Sequence, residues 1–294
     1  MKKLIVIMSI HFLTIGFAQD TKSDGDWTKQ LVTLKNTPEA DYMIRIGDID
    51  NLGYGWPEDF NPFSGRSTPG HDWPFNINPD DAAGTDRVMI PSAFIKDPTR
   101  GSGCGGDGYS SGDLNLFKTE PLYMPLDFIK ETNIKSAALL IFVDDFQSPG
   151  TCSRFRVWFN GTRLLPAEKI LEGIDQSGPI GKLVYIKIPY DVLPQLKSDN
   201  LRISLDDSTT YAADGFAIDF IKLLINPKPY SYKGFLSVIV KSTATAEPIK
   251  NALVSVPDFG EAKTDSEGRA RINNIYAGLV IADFSAEGYI SKTQ

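Results

Sequence analysis

Histidine is almost missing from these 294 residues: there are two, His11 and His71. A zinc site built on several imidazoles is therefore excluded, and a Ser-His-Asp triad has His71 as its single candidate base once the first residues are removed. His71 lies in Thr68-Pro69-Gly70-His71-Asp72, a turn-rich stretch in which it reads as a solvated loop residue. Cysteine is equally scarce. Cys104 and Cys152 stand far apart, in no Cys-x-x-Cys pair, which argues against thiol redox or nucleophilic chemistry. Basic charge is the minority sign, 30 Lys and Arg against 37 Asp and Glu, net −7. That balance argues against nucleic acid and anionic membranes as partners. Beyond residue 18 no apolar run approaches the roughly 18 residues of a membrane-spanning helix, so no membrane insertion is expected.

What is present begins with an address. Lys2 and Lys3 precede the apolar run Leu4 to Phe17, and Gly16-Phe17-Ala18 supplies small residues where a signal peptidase cuts. Residues 1–18 are read as a signal peptide, cleaved near Ala18, and the product as secreted or periplasmic. No cysteine follows the cut, so no lipid anchor is expected there. The product has about 276 residues and a charge of −9, since Lys2 and Lys3 leave with the leader. In that oxidising compartment Cys104 and Cys152 read as a disulfide. It would close a loop of about 48 residues, worth about 4 kcal/mol in the chain-entropy account.

Residues 19–39 read as a polar, loosely held lead-in. Short strands are then expected at 40–48, 87–94, 120–128, 137–144, 155–159, 183–189, 201–205 and 215–225, with Asn160-Gly161 as a hairpin turn. Helical turns fit 167–174 and 190–196. Many short strands with few helices indicate an all-β fold, a jelly-roll-like antiparallel sandwich over 40–226. The Pro-rich segment 227–233, with Pro227 and Pro229, is a linker. Residues 234–294 read as a second, smaller β-sandwich.

Chemistry concentrates where the first strand ends, in Gly47-Asp48-Ile49-Asp50-Asn51-Leu52-Gly53-Tyr54-Gly55-Trp56. Asp48 and Asp50 share one face of an extended chain, and two like charges so placed need a cation, an Arg or water between them. Asp219 interrupts the doubly apolar run 216–225, so its carboxylate is covered and must be paired. Ca²⁺, a hard ion that takes six to eight oxygens, would serve all three; the other reading is an ion pair with Arg45 or Lys222. The spacing is not that of an EF-hand, because Leu52 and Asp59 occupy its fifth and twelfth positions. The doublets Asp80-Asp81, Asp144-Asp145 and Asp206-Asp207 read mostly as turn formers. The Gly/Pro/Asn-rich segment 51–86 carries Tyr54, Trp56 and Trp73, candidate stacking residues for a glycan or a partner's side chains.

Two resemblances follow from particular residues. Gly234, Pro248 through Asn251-Ala252, Val254, Val256, Thr264-Asp265-Ser266-Glu267-Gly268, Ile272, Ile275, Gly278 and Ala286-Glu287-Gly288-Tyr289 resemble the carboxypeptidase regulatory-like family. That implies a transthyretin-like sandwich acting as a spacer or adhesive module, without peptidase activity; the family's closing strand would be short here. In the first domain, residues 47–56, 84–87 and 214–220 resemble a family of exported bacterial proteins of unassigned activity. Asp219-Phe220-Ile221-Lys222-Leu223 is also similar to the last strand of calcium-binding jelly-roll carbohydrate modules, in which such an Asp shares a structural calcium with carboxylates near the domain start.

The expectation is an exported, non-catalytic binding or adhesion protein directed at a glycan or cell-surface component, with Ca²⁺ at Asp48, Asp50 and Asp219. An exported glycosidase-like hydrolase using paired Asp residues is the alternative, and would show a deep acidic cleft. A structural component of a surface assembly is a third, and would self-associate through strand edges.

Overall fold

The computed structural model describes residues 4–11, 24–72, 77–100, 117–146, 153–174, 178–212, 214–228, 233–257, 259–276 and 280–293. The chain forms two compact units, Ala18–Pro229 and a second that combines Met1–Phe17 with Tyr230–Gln294. In chain order the strands are β1 (Leu4–His11), β2 (Leu31–Lys35), β3 (Ala40–Ile46), β4 (Met89–Ile90), β5 (Phe117–Lys118) and β6 (Leu122–Pro125). Next come β7 (Ala137–Asp144), β8 (Arg156–Phe159), β9 (Thr162–Arg163), β10 (Lys182–Lys187), β11 (Asn200–Asp206) and β12 (Ala217–Pro227). The last six are β13 (Lys233–Ser242), β14 (Leu253–Val256), β15 (Gly260–Lys263), β16 (Arg269–Tyr276), β17 (Asp283–Ser285) and β18 (Lys292–Thr293). The fold class is all-β, built almost entirely of antiparallel pairs.

The larger unit is organised by two sheets, one of order β10-β7-β12-β3-β2 and one of order β6-β11-β8-β9. Sequence decides which strands are central. β7 is apolar from Ala137 to Val143 and is buried along its length. β12 is buried from Ala217 to Ile225, on both faces. Such continuous runs suit strands covered on both sides. β8 and β11 alternate instead, with Val157, Phe159, Leu201, Ile203 and Leu205 inward and polar neighbours outward. Phe142 of β7 and Phe220 of β12 stack at 5.6 Å in the core.

Two differences from the sequence reading have simple causes. The lead-in is not loose, because Leu31–Lys35 adds to β3 as an edge strand that buries Val32. Its short Leu-Val-Thr-Leu core is masked in sequence by charged neighbours. The strand expected at 87–94 stops at Ile90, since Pro91 ends it and a short helix, Ser92–Lys96, begins.

The smaller unit pairs β13 with β16, and places β14 between β15 and β17, with β18 beyond. Leu236, Val238, Val240, Val254, Val256, Ile272 and Phe284 form its core. The turn at Asp265 is closed by its own carboxylate, whose Oδ1 accepts from the backbone of Glu267 and Arg269. Leu4–His11, the heart of the expected leader, lies antiparallel to β13, with Leu4 opposite Ser242 and His11 opposite Phe235.

Candidate metal centre

β3 runs out at Gly47, and the chain must turn beneath β12. A Cβ at Gly47 would lie 2.2 Å from the Asp219 carbonyl, and its φ is +80°, so only glycine fits this crossing. Asp48 and Asp50 follow at once. Asn51, Leu52 and Gly53 then take left-handed backbone conformations in succession, folding the chain back so that the Gly55 N–H donates to the Asp50 carbonyl at 2.8 Å. The Leu52 N–H donates to Asp219 Oδ1 at 3.1 Å, and the Gly53 N–H to Asp50 Oδ1 at 2.7 Å.

Asp219 sits at a β-bulge: the register of β12 on β7 shifts between Ile218 and Ile221. A bulge redirects side chains, and here a carboxylate lies in a buried strand. The fourth member is Asp86, which arrives from the loop when its N–H donates to the Ile218 carbonyl at 2.8 Å. One oxygen from each of Asp48, Asp50, Asp86 and Asp219 falls within 4.8 Å of all the others. Oxygens around one Ca²⁺ at about 2.3–2.6 Å can be at most roughly 5 Å apart, so a single ion can reach all four.

Burial makes this arrangement costly without a cation. Asp219 is fully buried and Asp86 is 4% exposed. Neither Asp86 oxygen has a hydrogen-bond partner, nor have Asp48 Oδ1, Asp219 Oδ2 and the neighbouring Asn51 Oδ1. Burial, and then the charges of Asp219, Asp50, Asp48 and Asp81, push the Asp86 carboxyl up to about 12. Burial and the Asp50 charge hold Asp219 well above the carboxylate range, against the Leu52 N–H. Asp50 is raised as well, chiefly by burial. Protonation would remove the charge on Asp86 yet leave its oxygens unpaired, whereas a cation answers both problems.

The expected ion-pair partners are spent elsewhere. Arg45, fully buried, donates to the carbonyls of Lys29 at 2.9 Å, Asp26 at 2.6 Å and Gly47. It acts on Asp48 and Asp219 only through space. Lys222 pairs with Asp24 and Glu39. Among the described residues no ion pair reaches the four carboxylates. The chemistry of this donor set is that of a hard-cation site: all oxygen, strongly anionic, without sulfur or imidazole.

The structure thus brings together Asp48, Asp50 and Asp219, which sequence reasoning selected, and adds Asp86, which it did not. Asp86 stands in a stretch with Asp80 and Asp81 that spacing cannot rank. Its selection depends on a backbone hydrogen bond to β12, far away in sequence.

The aromatic candidates divide. Trp56 faces inward: its Nε1 donates to the Ile49 carbonyl at 3.0 Å, and its ring stacks on Phe60 and meets Phe142 edge-on. Tyr54 is 38% exposed, packs on His71 at 4.3 Å and donates to the Asp72 carbonyl. Trp73, Cys104 and Cys152 lie outside the described residues. His71 is not the solvated loop residue expected; its Nε2 is 3.1 Å from Asp144 Oδ2, and the two side chains are 10% and 1% exposed. Asp80-Asp81 is a turn former as expected, with Asp80 exposed and Asp81 accepting from the Asn78 N–H, whereas Asp144, Asp145 and Asp207 are buried. Asp144 holds His71, Asp206 receives the Ser92 N–H and hydroxyl, and Asp207 accepts from the backbone of Arg154, Thr209 and Thr210.

No protein-family model matches the chain, and no curated protein matches it. One solved structure is similar to it, native alpha-2-macroglobulin from Escherichia coli spanning domains MG0-NIE-MG1, at 11% identity over 100% of this chain and 96% of that chain. The TM-score is 0.21, too low for the likeness to bear on fold or function.

Proposed function

We propose that this chain is an exported, non-catalytic binding or adhesion protein whose larger sandwich is stabilised by one Ca²⁺ held by Asp48, Asp50, Asp86 and Asp219. The observation that carries the reading is the pair of buried carboxylates, Asp86 and Asp219, aimed into a cluster of four with oxygens left unpartnered. The same geometry speaks against a glycosidase. Its two carboxylates would stand about 5–5.5 Å apart for retention, or about 6.5–9.5 Å for inversion, across an open cleft. Two of the four carboxylates here are buried instead, so this cluster is not such a pair.

In this reading the ion is structural. It fastens the loop that begins at Asn51 to β12 and so fixes the surface on which Tyr54 and His71 lie. That surface is the candidate recognition face, with a glycan or cell-surface component as partner; Trp56 is withdrawn from it by its inward packing. The carboxypeptidase regulatory-like resemblance of residues 234–294 accords with a spacer beside a binding unit.

The test is calorimetric titration of the leader-less protein with Ca²⁺ at fixed ionic strength. The expected result is one site per chain, weaker for Mg²⁺, which demands stricter octahedral geometry, and absent in Asp219→Asn. A protein that takes up no Ca²⁺ would sink the reading.

A further inference from the structure

A second buried charged group lies apart from the acidic cluster. Lys222, on central strand β12, has no exposed surface. Its Nζ donates to Asp24 Oδ1 and lies 2.5 Å from Glu39 Oε2. The Phe63 ring covers it, with the centroid 4.6 Å from Nζ. Asp24 is itself buried. An amine, a carboxyl group and a second carboxylate are thus enclosed together, 198 residues apart in sequence for the amine and the first carboxyl.

A buried ion pair of this kind is a poor source of stability, because desolvation of the charges offsets their attraction. It is, however, the arrangement required for amide formation. The nucleophile is held against the electrophile, which replaces an encounter by an intramolecular step. A second carboxylate stands within reach to carry protons. Phe63 covers the amine, and the Lys222 and Asp24 side chains are 0% and 6% exposed, so little water, the product of condensation and the reagent of its reversal, reaches the pair.

We propose that Lys222 and Asp24 join through an intramolecular side-chain amide, formed by the folded protein itself with Glu39 as the proton carrier. The Lys222 ammonium first passes a proton to the Asp24 carboxylate, giving a neutral amine and a neutral acid. Nζ then attacks Asp24 Cγ and forms the C–N bond. Glu39 takes a proton from the attacking nitrogen and returns it to the departing hydroxyl. The Cγ–O bond breaks and one water leaves. The ammonium and the carboxylate disappear together, so charge balances, and no oxidant or outside reagent is needed. The bond would tie the start of the exported chain directly to β12, past the edge strand β2, so that tension on the N-terminal segment would bypass that edge.

The experiment is mass spectrometry of the protein purified from soluble expression, its N-terminus read in the same spectrum. The intact mass is expected to be lower than that of the sequence by one water. Asp24-Gly25 can also lose water by cyclising on its own backbone, so the mass alone does not decide. Trypsin decides: residues 23–29 should appear joined to residues 203–233, uncut after Lys222, and the linear 23–29 peptide should be lost. Glu39→Gln should restore the linear peptide and the full mass. Linear 23–29 together with cleavage after Lys222 in the wild-type protein would overturn the proposal, whether or not the variant folds. An undiminished branched peptide in Glu39→Gln would overturn the role given to Glu39.

Discussion

Replacing Asp86 by Asn should stabilise the larger unit in chelator and remove its response to calcium. In the metal-free protein the Asp86 carboxyl is raised to about 12 from an ordinary value near 3.8. A carboxyl raised on folding adds nothing unfavourable below the unfolded value and weakens the fold steadily as pH rises above it. At about 1.4 kcal/mol per pH unit above the unfolded value, the penalty is on the order of 4 kcal/mol at pH 7 and markedly smaller at pH 5. An amide of the same shape avoids that titration, so Asp86→Asn should gain about 2–4 kcal/mol over wild type at pH 7 in chelator, and less at pH 5. At a hundredfold excess of Ca²⁺ over its Kd, the wild type recovers about 2.7 kcal/mol while the variant, with one carboxylate fewer, recovers little. Urea unfolding at both pH values, with and without Ca²⁺, reads all of these. Equal calcium responses in the two proteins, or a variant less stable than wild type in chelator, would refute the reasoning.

Three further outcomes follow from the structure. Gly47→Ala forces a Cβ to 2.2 Å from the Asp219 carbonyl at a φ of +80°; urea unfolding should show a loss of about 3 kcal/mol or more, and a near-neutral result would contradict the crossing described. His71 is raised above its ordinary value: burial would lower it, but the hydrogen bond to Asp144 and the charges of Asp144 and Asp72 outweigh that. Its contribution is therefore complete below about pH 6.5 and lost as pH rises through the raised value; the stability difference between wild type and His71→Gln should shrink from pH 6 to pH 9, and a growing difference would count against the pairing. In the smaller unit the buried Thr264 hydroxyl accepts from the Ala252 N–H at 2.8 Å and donates to the Ile249 carbonyl at 2.6 Å. Thr264→Val should cost about 1–3 kcal/mol in the unfolding of that unit alone, and an unchanged transition would contradict it.

Much of the fold is legible because the strands carry their own periods. The doubly apolar runs of β7 and β12 identify central strands, and the alternation of β8 and β11 identifies strands with one wet face. The site is legible in part for the same reason: Asp219 is conspicuous because it breaks an apolar run, and Asp48 and Asp50 because they follow a strand at spacing two. Asp86 carries no such local mark. It is placed by a backbone bond to Ile218, 132 residues away along the chain. The packing of Trp56 against Phe142, the salt link of His71 to Asp144, and the enclosure of Lys222 by Asp24 and Glu39 are likewise products of tertiary approach. In sequence they are an aromatic loop, a turn histidine and a polar lead-in.

The most direct test of the central claim is thermal unfolding of the wild-type protein with Ca²⁺ and with chelator, at constant ionic strength. Stabilisation of about 2.7 kcal/mol at a hundredfold excess over Kd corresponds to an upward shift of roughly 5–10 °C for a unit of this size. A shift of that order, absent in Asp219→Asn, is the predicted result. Coincident transitions with and without Ca²⁺ would contradict a calcium-held sandwich and leave the four carboxylates as a metal-free cluster.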